Sequence, residues 1–327
     1  MNDDGTTTRR TRILITNDDG IEAPGLRWLA RAARESGYDV TVAAPAEEAS
    51  GSSAALSAYT ADGRVIIGRH TLDELAGVPA YGVAASPSYI VVLAVLGAFG
   101  EPPDLVLSGI NRGANAGRAV LHSGTVGAAF TAAAHSRPAM AVSLDVLSPM
   151  ATDDGGSHAS ADASSGGNAL AILDAADDEA RNWETAAELA CEVLARLVDA
   201  PDGTVLNLNV PDLPGHKVRG LRQATLARFG QVQMAIAETG EDFVRTAVEQ
   251  SRDRAEPGTD LAWLSEGYAT LTPIQPVHEL AGADLPAKPS EPAGAAEPDV
   301  PAEAAEPDAA AEAAADEPGR HRQHTAS

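Results

Sequence analysis

Five short apolar runs alternate with stretches of helical spacing along most of the chain, and this alternation restricts the fold more than any other feature. The runs are Arg12–Thr16 (RILIT), Asp39–Ala44 (DVTVAA), Asp104–Ser108 (DLVLS), Ala139–Leu144 (AMAVSL) and Val205–Val210 (VLNLNV). Helical patterns cover Leu26–Ser36, Ser88–Phe99, Gly124–Ser136 and Trp183–Leu197. Runs of this kind between helices predict a doubly wound α/β fold, with a mostly parallel sheet covered by helices. Arg219–Ala247 alternates polar and apolar residues in short runs, which predicts a β-rich C-terminal extension and not another βαβ unit.

Two regions break the pattern. Ser148–Asn168 is rich in Ser, Ala, Gly and Asp and reads as a surface insertion, the wider segment 146–182 carrying a net charge of −6. Residues 278–327 are dominated by Ala, Pro, Glu and Asp, carry −8, and have too little apolar surface to repay ordering, which predicts a disordered acidic tail. With residues 1–11 as a disordered N-terminus, one folded domain over 12–277 remains.

Of the total formal charge of −24, the rest of the chain still holds −10. Duplex nucleic acid demands a basic face to neutralise phosphates, so that class of partner is excluded. No apolar run approaches the ~18–20 residues of a membrane span, and the polar N-terminus shows no secretory signal. The single cysteine, Cys191, has no intramolecular partner. The expectation is a cytoplasmic protein with no membrane association.

In an open α/β sheet, ligands bind beyond the C-terminal ends of the strands. The first run is followed there by Asn17-Asp18-Asp19-Gly20, the second by Ser50-Gly51, and the third by Gly109-Ile110-Asn111-Arg112-Gly113. Two adjacent carboxylates at a strand end repel one another and face desolvation, which a divalent cation relieves. Hard oxygen donors from Asp18, Asp19, Ser50 and Asn111 suit Mg²⁺ or Mn²⁺, one per subunit. A plainer reading, in which Asp18-Asp19-Gly20 only makes a turn and caps the next helix, stays open. Asn2-Asp3-Asp4-Gly5 repeats the tetrapeptide with no strand before it, so context alone gives the motif meaning.

Ser123-Gly124-Thr125 opens an Ala-rich helix, where free backbone N–H groups and the helix dipole favour a phosphate. Gly124 lets a ligand approach the backbone, and Asn115 adds a side-chain amide. Ser123 or Thr125 as an N-cap is compatible with that role. His122, just before the helix, is either a proton donor or phosphate contact or a packing residue.

These residues fall within RILITNDDGIEAPG (Arg12–Gly25), Ala44-Pro45 with Ser50-Gly51, LVLSGINRGANAG (Leu105–Gly117), HSGTVGAA (His122–Ala129), LNLNVP (Leu206–Pro211) and GTDLAWLSEGYATLTP (Gly258–Pro273). In content and order the motifs resemble the SurE family of stationary-phase survival proteins, over about Arg12–Val277. The resemblance implies a Rossmann-like core and a metal-dependent nucleotidase hydrolysing nucleoside 5′- or 3′-monophosphates. Asp18, Asp19, Asn111 and Ser123 are then the catalytic residues, Asp18, Asp19, Ser50 and Asn111 the metal ligands, and Asn115, Ser123, Gly124 and Thr125 the phosphate site. It also implies homodimers or homotetramers that exchange C-terminal elements.

Three departures bear on substrate preference. Ala46-Glu47-Glu48-Ala49 is acidic where the family is basic and polar, His122 replaces an aromatic, and Ser88-Tyr89-Ile90 replaces Thr-Asp-Cys. A haloacid-dehalogenase mechanism is disfavoured, because Gly20 and Ile21 stand where a second Asp is needed. A dinucleotide oxidoreductase lacks its Gly-x-Gly-x-x-Gly after the first run. A non-catalytic nucleotide-binding stress protein, and a phosphatase for another small phosphomonoester, remain as alternatives.

Overall fold

The computed structural model describes residues 9–49, 51–146, 175–230, 232–240, 242–250 and 255–276, all within the compact unit Met1–His278. Ser50, the insertion Ser148–Asn168 and the tail 278–327 lie outside the described residues.

In chain order the first half contains β1 (Arg12–Thr16), α1 (Pro24–Glu35), β2 (Asp39–Pro45), β3 (Thr60–Ala61), β4 (Arg64–Val65), β5 (Ile67–His70), β6 (Ala80–Val83), α2 (Pro87–Val95) and β7 (Leu105–Arg112). There follow α3 (Gly124–Ala134), β8 (Ala139–Asp145), α4 (Trp183–Val198), β9 (Val205–Pro211), β10 (Leu221–Gln223), β11 (Val232–Thr239), β12 (Val244–Gln250), α5 (Asp260–Ser265) and β13 (Ala269–Ile274).

Nine strands form the main sheet in the order β5-β6-β2-β1-β7-β8-β9-β13-β10. The central strands, β6-β2-β1-β7-β8-β9, are all parallel, while β5 and β13 run antiparallel to β6 and β9. The fold is therefore a Rossmann-like α/β sheet. The expected β-rich extension divides: β13 and β10 join the sheet, whereas β11 and β12 pair antiparallel as a separate hairpin.

Both faces of the central strands are covered, which explains their uninterrupted apolar character. Ile13 and Ile15 of β1 point to one side, into a core shared with Leu26 and Leu29 of α1 and Leu194 and Leu197 of α4. Leu14 points to the other, with Ile90 and Val91 of α2 and Val126 and Ala129 of α3. The small side chains of α3 bury most of that helix against β7 and β8.

One strand is longer than its apolar run. DLVLS ends at Ser108, but β7 continues to Arg112 through an irregularity in its pairing with β8 between Ser108 and Asn111. Gly109 makes this passage possible: its φ is +139°, and a Cβ there would lie 2.2 Å from the carbonyl oxygen of Val142. Asn111 and Arg112 consequently sit in the sheet, opposite Ser143 and Leu144, and not in a following loop. Among the described residues no helix is long and apolar enough to cross a membrane.

Candidate active site

Asp18 and Asp19 leave the end of β1 directly. The turn they enter is closed by Asn17, whose Nδ2 donates to the Gly20 carbonyl at 3.0 Å and whose Oδ1 accepts from Gly20 N at 3.2 Å. Helix α1 starts at Ala23 and Pro24 without a side-chain cap. The turn-and-cap duty thus falls to Asn17 and Pro24, and both aspartates are left for other partners.

Those partners come from two other elements of the same sheet edge. Asp18, buried, accepts through Oδ1 from the Thr125 hydroxyl in the first turn of α3. Asp19, half-buried, accepts through Oδ2 from the backbone N–H of Arg112 at 3.2 Å. Burial pushes the Asp18 carboxyl up, opposed by the hydrogen bond from Thr125. Asp19 is pushed up to about 7, first by burial and then by the adjacent charge of Asp18, with the Arg112 N–H opposing; the charge of Glu48 adds to the upward push. Negative charge has been concentrated here at an energetic cost.

Asn111 donates through Nδ2 to the Gly113 carbonyl at 2.7 Å, so Oδ1 is the atom it offers to a cation. The loop after it is held from below by a polar patch inside the sheet. Asn209 Oδ1 accepts from Asn115 N at 2.8 Å, and Nδ2 of Asn207 and of Asn209 both donate to the Asn115 carbonyl. The Asn115 side chain donates to Ser143 Oγ at 2.9 Å, which commits one of its two amide protons to the scaffold. Asp260, fully buried at the start of α5, accepts from Gly117 N at 2.8 Å and from Ala227 N at 3.0 Å. Gly117 has φ +62°, and a Cβ there would lie 2.1 Å from the Phe229 carbonyl oxygen, so the C-terminal extension closes tightly on this loop.

Helix α3 begins at Ser123, whose Oγ accepts from Val126 N at 3.1 Å as an N-cap. Gly124 stands where a Cβ would come within 2.7 Å of Asp18 Oδ2. His122 is exposed just before the cap. The structure therefore brings Asp18 together with Gly124 and Thr125, and Asp19 together with the backbone beside Asn111. The fourth sequence-derived metal ligand, Ser50, lies outside the described residues.

Sequence reasoning missed Asn207, Asn209 and Asp260, which touch only the scaffold of the site. A signal existed for the first two: two asparagines at period two in the apolar run VLNLNV share one strand face, and buried amides require partners.

Among the described residues no group of three or more His, Cys, Asp or Glu side chains is placed to hold a metal. The hard oxygen donors at this sheet edge are the carboxylates of Asp18 and Asp19 and, on the residue before the Arg112 N–H that Asp19 accepts from, the carboxamide of Asn111. Asp18 already occupies the N-terminus of α3, so a dianionic phosphate approaching that turn meets its carboxylate, with that of Asp19 next to it in the chain. Protonation of Asp19 or a cation between them relieves that repulsion, and hard oxygen donors of this kind suit a hard divalent ion.

A protein-family model described as "Survival protein SurE" matches residues 13–234. The chain is 34% identical over 269 residues to the 5′-nucleotidase SurE of Stenotrophomonas maltophilia, covering 81% of this chain and 89% of that one. It is 35% identical over 273 residues to the 5′-nucleotidase SurE of Alkalilimnicola ehrlichii, covering 80% and 88%. With the 5′/3′-nucleotidase SurE of Shigella dysenteriae it shares 32% over 269 residues, covering 81% and 90%. Among solved structures, the SurE protein of Aquifex aeolicus superposes with a TM-score of 0.58 at 25% identity, covering 81% of this chain and 93% of that one.

Proposed function

Since the chain belongs to the survival protein SurE family, we propose that it is a divalent-metal-dependent nucleotidase that hydrolyses nucleoside 5′-monophosphates, with 3′-monophosphates as further substrates, to nucleoside and phosphate. The observation that carries the reading is the Asp18 carboxylate seated against Gly124 and Thr125. A strand-end carboxylate facing a helix N-terminus supports a reading in which a cation and a phosphate bind side by side.

In this reading Asp18, Asp19, Ser50 and the Oδ1 of Asn111 hold one Mg²⁺ or Mn²⁺ per subunit. When bound, the ion supplies Lewis acidity to a phosphoryl oxygen and offsets the charge of the two aspartates. The Ser123 hydroxyl proton, which the cap does not use, and the second amide proton of Asn115 donate to the phosphate, with Gly124 and Thr125 at the first turn of α3 lining its place. The buried clamp of Asn207, Asn209, Ser143 and Asp260 keeps that geometry fixed. Asp18 or Asp19 accepts the proton of the attacking water as its oxygen bonds to phosphorus, and returns it to the nucleoside oxygen as the P–O ester bond breaks.

The nearness of the Glu48 charge to Asp19 supports a preference for small dianionic monoesters over phosphoproteins that carry further negative charge. The deciding experiment measures phosphate release with Mg²⁺ or Mn²⁺ from adenosine and guanosine monophosphates, glucose 6-phosphate and a phosphopeptide. Turnover of the nucleotides with higher kcat/KM is expected. Equal or better turnover of the other two overturns the nucleotidase reading and leaves a general phosphatase; binding without release leaves a nucleotide-binding protein.

On the same premise we propose a cytoplasmic homodimer or homotetramer. The exposed Ile236, Phe243 and Val244 on the β11–β12 hairpin support self-association, because apolar side chains gathered on a projecting hairpin gain by being covered. Light scattering at micromolar concentration is expected to find at least twice the 33.4 kDa of one chain.

A further inference from the structure

The hydroxyl of Ser52 is buried and has no hydrogen-bond partner. Its place is set by a tightly tied loop. Ala49 N donates to the Asp18 carbonyl at 2.7 Å, Ser52 N to the Ala49 carbonyl at 3.2 Å, and Ala55 N to the Ser52 carbonyl at 3.0 Å. Ser53 Oγ donates to the Leu121 carbonyl at 2.6 Å, and a Cβ on Gly127 would lie 2.3 Å from the Ser53 carbonyl oxygen. The loop is therefore pressed onto the first turns of α3.

Within that loop, Ser52 Oγ lies against Gly124, the middle residue of the expected phosphate site. A Cβ built on Gly124 would lie 2.7 Å from Ser52 Oγ and 2.7 Å from Asp18 Oδ2, so the two oxygens flank the same α-carbon at the start of an 11-residue helix. The other hydroxyls of this turn already have partners: Thr125 donates to Asp18, and Ser123 accepts from Val126 N. A buried hydroxyl without a partner is unfavourable and persists where a ligand supplies what the protein does not.

We propose that Ser52 is a further substrate-binding residue, its hydroxyl donating to a non-bridging oxygen of the substrate phosphate at the first turn of α3. This rests on the nucleotidase reading and adds a donor to it. Ser52 carries no such signal in the sequence, since in the run Ser50-Gly51-Ser52-Ser53 the motif takes in only Ser50 and Gly51.

The test compares wild type and Ser52→Ala in Mg²⁺, measuring KM for adenosine monophosphate, Ki for inorganic phosphate, direct phosphate binding by calorimetry, and the melting temperature. A lost hydrogen bond to a charged group predicts that KM, Ki and the phosphate Kd all rise by about tenfold, with the melting temperature kept. Unchanged phosphate affinity, or a loss confined to kcat, overturns the role of Ser52 while leaving the nucleotidase reading in place. If wild type releases no phosphate from any nucleoside monophosphate, that reading fails, and the calorimetric Kd still decides the Ser52 contact.

Discussion

Helices α1 and α3 both start beyond the same edge of the sheet, and each carries a glycine in its first turn where a Cβ would come within 3.0 Å of a neighbour. At α1 a Cβ on Gly25 would meet the Ile110 carbonyl oxygen at 2.1 Å and the Trp183 ring at 3.0 Å, so this glycine allows a helix to pack against β7 and α4. At α3 a Cβ on Gly124 would meet two polar oxygens, from Asp18 and Ser52. In the sequence these are the same device. The neighbours make one a packing glycine and the other a site glycine, because the first approaches a backbone carbonyl and a ring and the second a hydroxyl and a carboxylate, groups that can bind a ligand or a cation.

The sharpest way to probe the site side of this comparison is Asp19→Asn. Removing one of two adjacent desolvated carboxylates should cost about 10²–10³-fold in kcat/KM with metal present, the order expected when a central electrostatic group is lost. In chelator the same variant should melt at or above the wild-type temperature, since the repulsion with Asp18 is relieved. A lower melting temperature there would show that Asp19 is held for structure.

Gly124→Ala should lower kcat/KM by about 10²-fold through displacement of Asp18, while helix propensity offsets part of the crowding and keeps the stability loss near ~1 kcal/mol. Gly25→Ala should reverse the balance. Its clash is with backbone, so ~1–3 kcal/mol of stability should go, with the smaller kinetic effect following from the shift of Ile110 beside Asn111. Urea denaturation paired with kinetics on both variants checks this; equal profiles for the two would erase the distinction.

Asp260→Asn tests the support beneath the site. One acceptor oxygen would become a donor facing the N–H of Gly117 or Ala227, which should cost about 1–2 kcal/mol in the same denaturation experiment. An unchanged midpoint would mean that the loop is held without it. The smallest effect is expected from deleting Ala287–Ser327, whose composition lacks apolar surface to bury: melting temperature and kcat/KM should stay as they are.

The same contrast of local pattern against neighbours separates what was legible in the chain. β1, β8 and β9 emerge within a residue of their apolar runs, because strands buried on both faces admit few polar side chains. β6 and β13 were not visible. The four residues of β6 include Ala and Gly, and β13 contains Pro273, a residue that argues against an inner strand. The structure accommodates Pro273 because β10 pairs only with Ala269–Leu271, so at the proline β13 has a partner in β9 alone.

By itself the sequence determined the layered α/β architecture and the polar strand ends, since periodicity, turn residues and a pair of adjacent carboxylates are local properties. Tertiary structure decided which atoms those strand ends face. It carried β7 past Ser108, handed the turn to Asn17, set Asp18 on the first turn of α3, and drew Asn207, Asn209 and Asp260 beneath the loop from 90 and more residues away. Those contacts join segments far apart in the chain, and whether a polar side chain is satisfied, orphaned or pressed against another charge depends on packing that no window of sequence contains.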